Sequence, residues 1–287
     1  MRITTHILET LLIGITFIPM LLRILPFFHI TPPPLIFFFI FFGLFCGAMY
    51  PDTDCPKSRI FKMKQERRKI GWQSSYQEWR NKKNAQRIYN FFLFVFSSIL
   101  ITLGYIFRFL IYFPSFWIVY LINKKYIKEY EVIDEHRGIS HTFFGITIAT
   151  GLFFLLFFLV NLYFSFTGTN YLFVSTITFF LAGNIHLLQD SISKSGIKWF
   201  YPFKEKHISG NYTAFVEFDP RIIILNLFLI GTLVLIYFVR YYISNNFPNT
   251  GFKMILGVSI ISLLPFICLF LIFYFLFRSC QVKITNN

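Results

Sequence analysis

The sequence predicts an all-α fold, a polytopic bundle of about six to eight transmembrane helices forming a single membrane-embedded domain over residues 1–287. Three observations carry that prediction. Hydrophobic residues make up 55% of the 287 positions, 42 of them phenylalanine, more than one soluble core of this size could hide. Charged residues are only 14%, against about 25% in soluble domains. The apolar residues come in runs that approach or exceed the roughly 20 residues a helix needs to cross a bilayer.

The runs fall at 7–25, 34–50, 91–107, 109–122, 142–164, 171–188, 221–243 and 254–277. Pro26, Phe27, Phe28 and then Pro32-Pro33-Pro34 follow the first run, with no small-residue cleavage site. It reads as a retained helix and not as a signal peptide. Residues 91–122 are too long for one untilted helix and short for two. Arg108 and Pro114 interrupt them, which predicts a hairpin of short or re-entrant helices. The tail from Lys283 reads as short and frayed.

Charge is collected between the runs. A basic insert at 58–90 holds Lys62, Lys64, Arg67, Arg68, Lys69, Arg80, Lys82, Lys83 and Arg87, and two further polar segments lie at 123–141 and 191–220. The other connectors are short and nearly uncharged. The positive-inside rule then places both termini and all three polar loops in the cytoplasm of a prokaryote, with the chain in its inner (plasma) membrane. The formal net charge of +14 fits basic loops facing anionic headgroups. No helix-turn-helix or RNA-binding signature accompanies it, so membrane lipids and not nucleic acid are the expected partners. Within the insert, Tyr76, Trp79 and Lys83 are spaced as one face of a short helix, which suits either a surface-lying amphipathic helix or a solvated loop. Cys46, Cys55, Cys268 and Cys280 show no CxxC spacing and read as free thiols.

This topology has a chemical consequence. Pairs of spans separate the N-terminus and the three polar loops. His6, Asp52, Asp54, His136, His141, His186 and Asp190 therefore emerge on one face, and His29 on the other. His186 and Asp190 are four apart and share one helix face, the geometry by which one helix offers two ligands to a metal. A metal-free His–Asp hydrogen bond is the alternative. His136 and His141 flank a turn at Gly138, with Ser140 a candidate N-cap that puts His141 in the first helical turn. Neutral imidazoles there suit zinc, and Arg137 suits a phosphate oxygen. Asp52 and Asp54 alternate around a threonine and could ligate one ion, bridge two, or form an Asx turn. One joint site requires His141, His186, Asp190 and at least one of Asp52 or Asp54 to converge within about 5 Å.

Taken together these residues resemble a known family, the YdjM-like inner-membrane-associated metal-dependent hydrolases. Thr5-His6-Ile7-Leu8 is similar to its N-terminal element. Gly47-Ala48-Met49-Tyr50-Pro51-Asp52-Thr53-Asp54, followed by Ser58, is similar to its P-D-x-D element. His136-Arg137-Gly138-Ile139-Ser140-His141-Thr142 is similar to its H-R-G-x-T-H-S element, with Ser140 and Thr142 exchanged for the usual Thr and Ser. His186-Leu187-Leu188-Gln189-Asp190, Gly196 and Trp199-Phe200-Tyr201-Pro202-Phe203 are similar to its H-L-L-x-D and W-P-F elements. Cys55 stands where a histidine is common, and residues 61–130 exceed the usual spacing. The resemblance implies a metal-dependent hydrolase.

The expected function is hydrolysis of a phosphoester or other ester, in a lipid, at the cytoplasmic membrane surface. It would use a divalent metal, zinc first and manganese second. His6, Asp52, Asp54, His136, His141, His186 and Asp190 are the ligand candidates. Asp54 and His141 are the catalytic candidates, and Arg137 would stabilise developing negative charge. Spacing does not decide which carboxylate is base and which is ligand. The rival is a non-catalytic membrane protein with a structural metal or polar cluster and a basic loop for a protein partner. A transporter ranks third, because it would want its polar groups at the midplane, and these lie at span ends, with Arg108 the one exception.

Overall fold

The computed structural model describes residues 35–54, 101–124, 138–164, 169–203, 206–211 and 280–286 and a few isolated positions elsewhere, and among these described residues four unbroken apolar stretches are helical. They are α1 (Leu35–Met49), α2 (Ile101–Ile122), α3 (Phe143–Phe164) and α4 (Thr169–Ser191). Among the described residues α2, α3 and α4 are long and apolar enough to cross a membrane, and α1 is shorter. The expected spans at 7–25, 221–243 and 254–277 and the insert at 58–90 fall almost wholly outside the described residues.

Two glycines one helical turn apart set how α1 meets α4. A Cβ on Gly43 would strike Thr178 Oγ1 and the Ser175 carbonyl; one on Gly47 would strike the Phe179 carbonyl and come within 2.8 Å of Ala182 Cβ. The two backbones therefore touch. Lipid tails are as apolar as leucine, so helices in a bilayer associate through close packing of small residues and not through burial from water. A second layer joins α2, α3 and α4. The Phe153 and Phe179 rings stack at 4.4 Å, with Phe107 against them at 6.3 and 6.4 Å. Phe109, Trp117 and Tyr163 point outward, as lipid-facing side chains do.

The expected hairpin at Arg108 does not form, because Ile101–Ile122 is one continuous helix. Residues Arg108–Tyr112 make a π-helical turn, and Pro114 sits in the first turn of the α-helical stretch Phe113–Ile122. A wide turn relaxes the hydrogen-bond ladder where proline supplies no N–H. The Arg108 charge does not break the helix either, since its guanidinium donates to the Thr53 and Asp54 carbonyls at 3.1 and 2.6 Å.

The fold is also not purely α. After α4 the chain turns back, and β1 (Lys206–Ser209) pairs antiparallel with β2 (Lys283–Asn286), Lys206 opposite Asn286 and Ser209 opposite Lys283. The tail expected to fray is therefore a strand. Its partner strand is anchored on its own side, because Ile208 and Ile197 exchange backbone hydrogen bonds at 2.9 Å in each direction. The tail is delivered to that edge by the Asn211 N–H, which donates to the Cys280 carbonyl at 2.7 Å, and by Cys280 packing on Ile192. Gly196 makes the turn possible with φ +53, and a Cβ there would crowd His207 and Ser209.

Candidate metal centre

Three segments meet at one end of the described helices. The first is the exit from α1. Pro51–Thr53 form a 3-10 turn, closed by the Thr53 hydroxyl and N–H on the Tyr50 carbonyl at 2.7 and 3.0 Å. The turn buries Asp54 and leaves Asp52 half-buried.

The second segment is the entry to α3. Ile139–His141 form another 3-10 turn, after which Thr142 is extended. Thr142, not Ser140, is the N-cap: its Oγ1 accepts the Gly145 N–H at 2.9 Å. The reason is the extra turn, which places Ser140 and His141 before the helix and not in its first turn. Gly145 lets this turn lie against α3, since a Cβ there would meet the Ile139 carbonyl. Freed from capping, the Ser140 hydroxyl donates to Asp54 Oδ2 at 2.9 Å. The Trp199 carbonyl accepts the Phe143 N–H at 3.0 Å, so the loop after α4 helps to hold the same entry.

The third segment is the last turn of α4, where His186 and Asp190 lie on one face as their spacing predicts. The Gly47 contact brings Ala48 beside this face, and the Ala48 carbonyl accepts the His186 Nδ1–H at 2.8 Å. A carbonyl only accepts, so the contact assigns the proton to Nδ1 and presents the Nε2 lone pair to the interior of the site.

The side chains converge. Asp190 Oδ2 lies 3.2 Å from His141 Nε2 and 3.5 Å from His186 Nε2. Two ligand bonds of 2.0–2.2 Å at a tetrahedral angle span roughly 3.3–3.6 Å, so these atoms stand about as far apart as ligands of one ion. Asp52, His141 and His186 each offer a donor atom, all within 4.8 Å of one another. Asp54 lies behind His141, its Oδ2 3.2 Å from Nδ1. Asp54 and Ser140 thus grip one ring nitrogen while the other faces Asp190. His141, His186 and Asp190 are buried. Burial works against the charged form of His141, but the Asp54 and Asp190 carboxylates outweigh it and hold the imidazolium up at about 10. Two imidazoles and two carboxylates make a mixed nitrogen–oxygen donor set that fits a divalent ion such as zinc or manganese.

His6, His136 and Arg137 lie outside the described residues. Two contributors escaped the sequence reading. Ser140 was expected as a cap and instead binds Asp54. Arg108, which braces the Asp54 turn, stands in the sequence as an interruption and as the one polar group away from the span ends, and not as part of the site. Its one signal was a lone cation inside an apolar run, where an unpartnered charge is costly.

No curated protein and no solved structure matches the chain. The family model described as YdjM inner membrane protein matches residues 1–283. That match takes in every expected site residue from His6 to Asp190, and the chain belongs to the YdjM inner membrane protein family.

Proposed function

We propose that the protein is a metal-dependent hydrolase of an ester or phosphoester, with a lipid substrate, working at the cytoplasmic surface of the membrane. The observation that carries this reading is the convergence of His141, His186 and Asp52 donor atoms within 4.8 Å, with Asp190 between the two histidines.

His141, His186 and Asp190 would hold the ion in this reading, with one oxygen of Asp52 as the fourth donor and its other oxygen left for proton transfer. His6 and His136 remain proposed ligands. A divalent ion held there supplies Lewis acidity and lowers the pKa of water to the neutral range. Asp54 positions His141 through Nδ1, with Ser140 as its second contact. His186 is kept in one tautomer by the Ala48 carbonyl. Asp52 is the half-buried carboxylate of the group, so it is placed to take the proton of an incoming water. Water oxygen bonds to the phosphorus or acyl carbon, the ester C–O or P–O bond breaks, and the leaving alcohol takes a proton. Arg137 is the proposed partner of the negative charge that develops.

A structural-metal reading also draws on an observation: His141, His186 and Asp190 are all but closed to solvent, as ligands of a structural site are. Metal analysis and turnover separate the two. Purified in detergent, the protein should carry a divalent metal and hydrolyse a phospholipid or phosphoester analogue, with both lost to a chelator and restored by zinc or manganese. Bound metal with no hydrolysis would favour the structural site. Neither metal nor activity after zinc or manganese is added would end the hydrolase reading.

A further inference from the structure

We propose that Arg108 is a phosphate-binding residue of this site, and that its ligand is an anionic phospholipid that enters sideways from the bilayer. The inference deepens the hydrolase reading above and rests on it for the reaction, though not for the binding.

Arg108 is half-buried within α2, a helix long enough to span the membrane. Its Nη1 donates to the carbonyls of Thr53 and Asp54, in the same turn that carries Asp52. The side chain is thereby fixed beside the metal cluster. Both acceptors are neutral, and among the described residues no carboxylate pairs with Arg108. The guanidinium therefore makes no direct ion pair there and keeps N–H donors for an anion. A guanidinium carries five N–H donors in a planar fork, more than two carbonyls on one nitrogen consume. The Tyr112 and Phe113 rings flank it at 5.7 and 5.3 Å and support its plane.

What surrounds Arg108 on α2 points to the ligand. Tyr105, Ile106 and Phe109 are 47%, 43% and 71% exposed. On a spanning helix such side chains face acyl chains. A cation at that surface is costly unless it snorkels to the interface or meets an anion. A phospholipid satisfies both features, with its phosphate on the guanidinium and its chains along Tyr105, Ile106 and Phe109. A water-soluble phosphate ester would make the same polar contact but leave the apolar side chains unused.

The test is native mass spectrometry of the full-length protein in a neutral maltoside detergent. Dioleoyl phosphatidate, dioleoylglycerol and inorganic phosphate are the probes, and zinc content is read in the same spectra. Wild type should retain phosphatidate in preference to dioleoylglycerol, and millimolar phosphate should not displace it. R108Q should bind phosphatidate about tenfold more weakly, the loss of a charge-assisted contact, with zinc retained. Equal phosphatidate binding by R108Q, equal retention of dioleoylglycerol, or displacement by inorganic phosphate would each overturn the proposal. If R108Q loses zinc or fails to insert, R108K decides the matter, because lysine keeps the charge and can reach a carbonyl but lacks the fork. R108K with zinc bound and phosphatidate weakened severalfold supports the proposal, and wild-type affinity in R108K overturns it. Lipid binding that depends on Arg108 without any hydrolysis would remove the hydrolase reading alone. Zinc-dependent hydrolysis with lipid binding indifferent to Arg108 would remove this inference alone.

Discussion

His186 on α4 donates its Nδ1–H to the Ala48 carbonyl at the end of α1, 2.8 Å away and 138 residues apart in sequence. That bond ties the aim of a ligand to the docking of two helices. It follows that the metal centre and the α1–α4 contact should fail together.

Gly47→Ala should show this. The added Cβ meets the Phe179 carbonyl, which is backbone and cannot swing away. Overpacking of this kind costs about 1–3 kcal/mol. Thermal unfolding in detergent should move to lower temperature, and zinc should bind more weakly although no ligand has changed. Unaltered zinc affinity in a destabilised Gly47→Ala protein would mean that the site does not depend on this docking.

Removing a ligand should have the opposite signature. His186→Ala and Asp190→Ala should each strip bound metal and hydrolysis, while membrane insertion persists because the apolar run of α4 sets it. Metal analysis of the membrane-extracted variants checks this. Full metal occupancy in both would count against the proposed ligand set.

Asp54→Asn should fall between. Asp54 touches His141 Nδ1 and Ser140, behind the ligating nitrogen. Loss of such an outer carboxylate weakens metal affinity by roughly 10–100-fold, and Ser140→Ala should cost less, about fivefold for one hydrogen bond. If Asp54→Asn is as severe as Asp190→Ala, Asp54 is itself a ligand.

Metal uptake should release a proton. His141 is held protonated up to about 10 in the metal-free protein, and zinc competes with that proton for Nε2. Apparent affinity should therefore rise with pH, by about tenfold per unit where one proton is displaced. The sign for stability runs the other way. A raised folded pKa stabilises the metal-free protein fully below the ordinary histidine value of 6.5, and that contribution is lost as pH rises through about 10. Titration calorimetry of zinc in buffers of different ionisation enthalpy reads the proton count directly. A count of zero would exclude His141 as a ligand.

The continuous helix Ile101–Ile122 leaves one span where the charge argument counts two between the basic insert and the segment 123–141, so the cytoplasmic orientation proposed here stands on the basic insert itself and is put to a labelling experiment. A cysteine placed at Asn249 should react with an impermeant reagent from outside spheroplasts, and one at Lys83 should not. Reaction at Lys83 would overturn the cytoplasmic placement of the basic insert.

Much of this protein was legible in its composition and spacing. Apolar runs of bilayer length predicted α3 and α4 nearly to their ends, because in lipid a helix must satisfy its own backbone and its length is set by the membrane. The four-residue step from His186 to Asp190 put both on one face, because helical geometry is local. What the sequence could not carry was anything that depends on a partner distant along the chain. Arg108 reads as a break in the sequence, yet the Thr53 and Asp54 carbonyls accept its N–H donors and the helix continues. Ser140 read as a cap, yet Asp54 takes its hydroxyl and Thr142 does the capping. The tail read as frayed, yet the edge of Lys206–Ser209 makes it a strand. The division of labour proposed for Asp52, Asp54 and Asp190 rests on contacts of the same kind. Sequence alone determined that histidines and aspartates would stand at helix ends, and only the close approach of α1 to α4 at Gly43 and Gly47 decided which nitrogen of His186 faces the site, because a hydrogen-bond partner is a fact of tertiary contact and not of spacing.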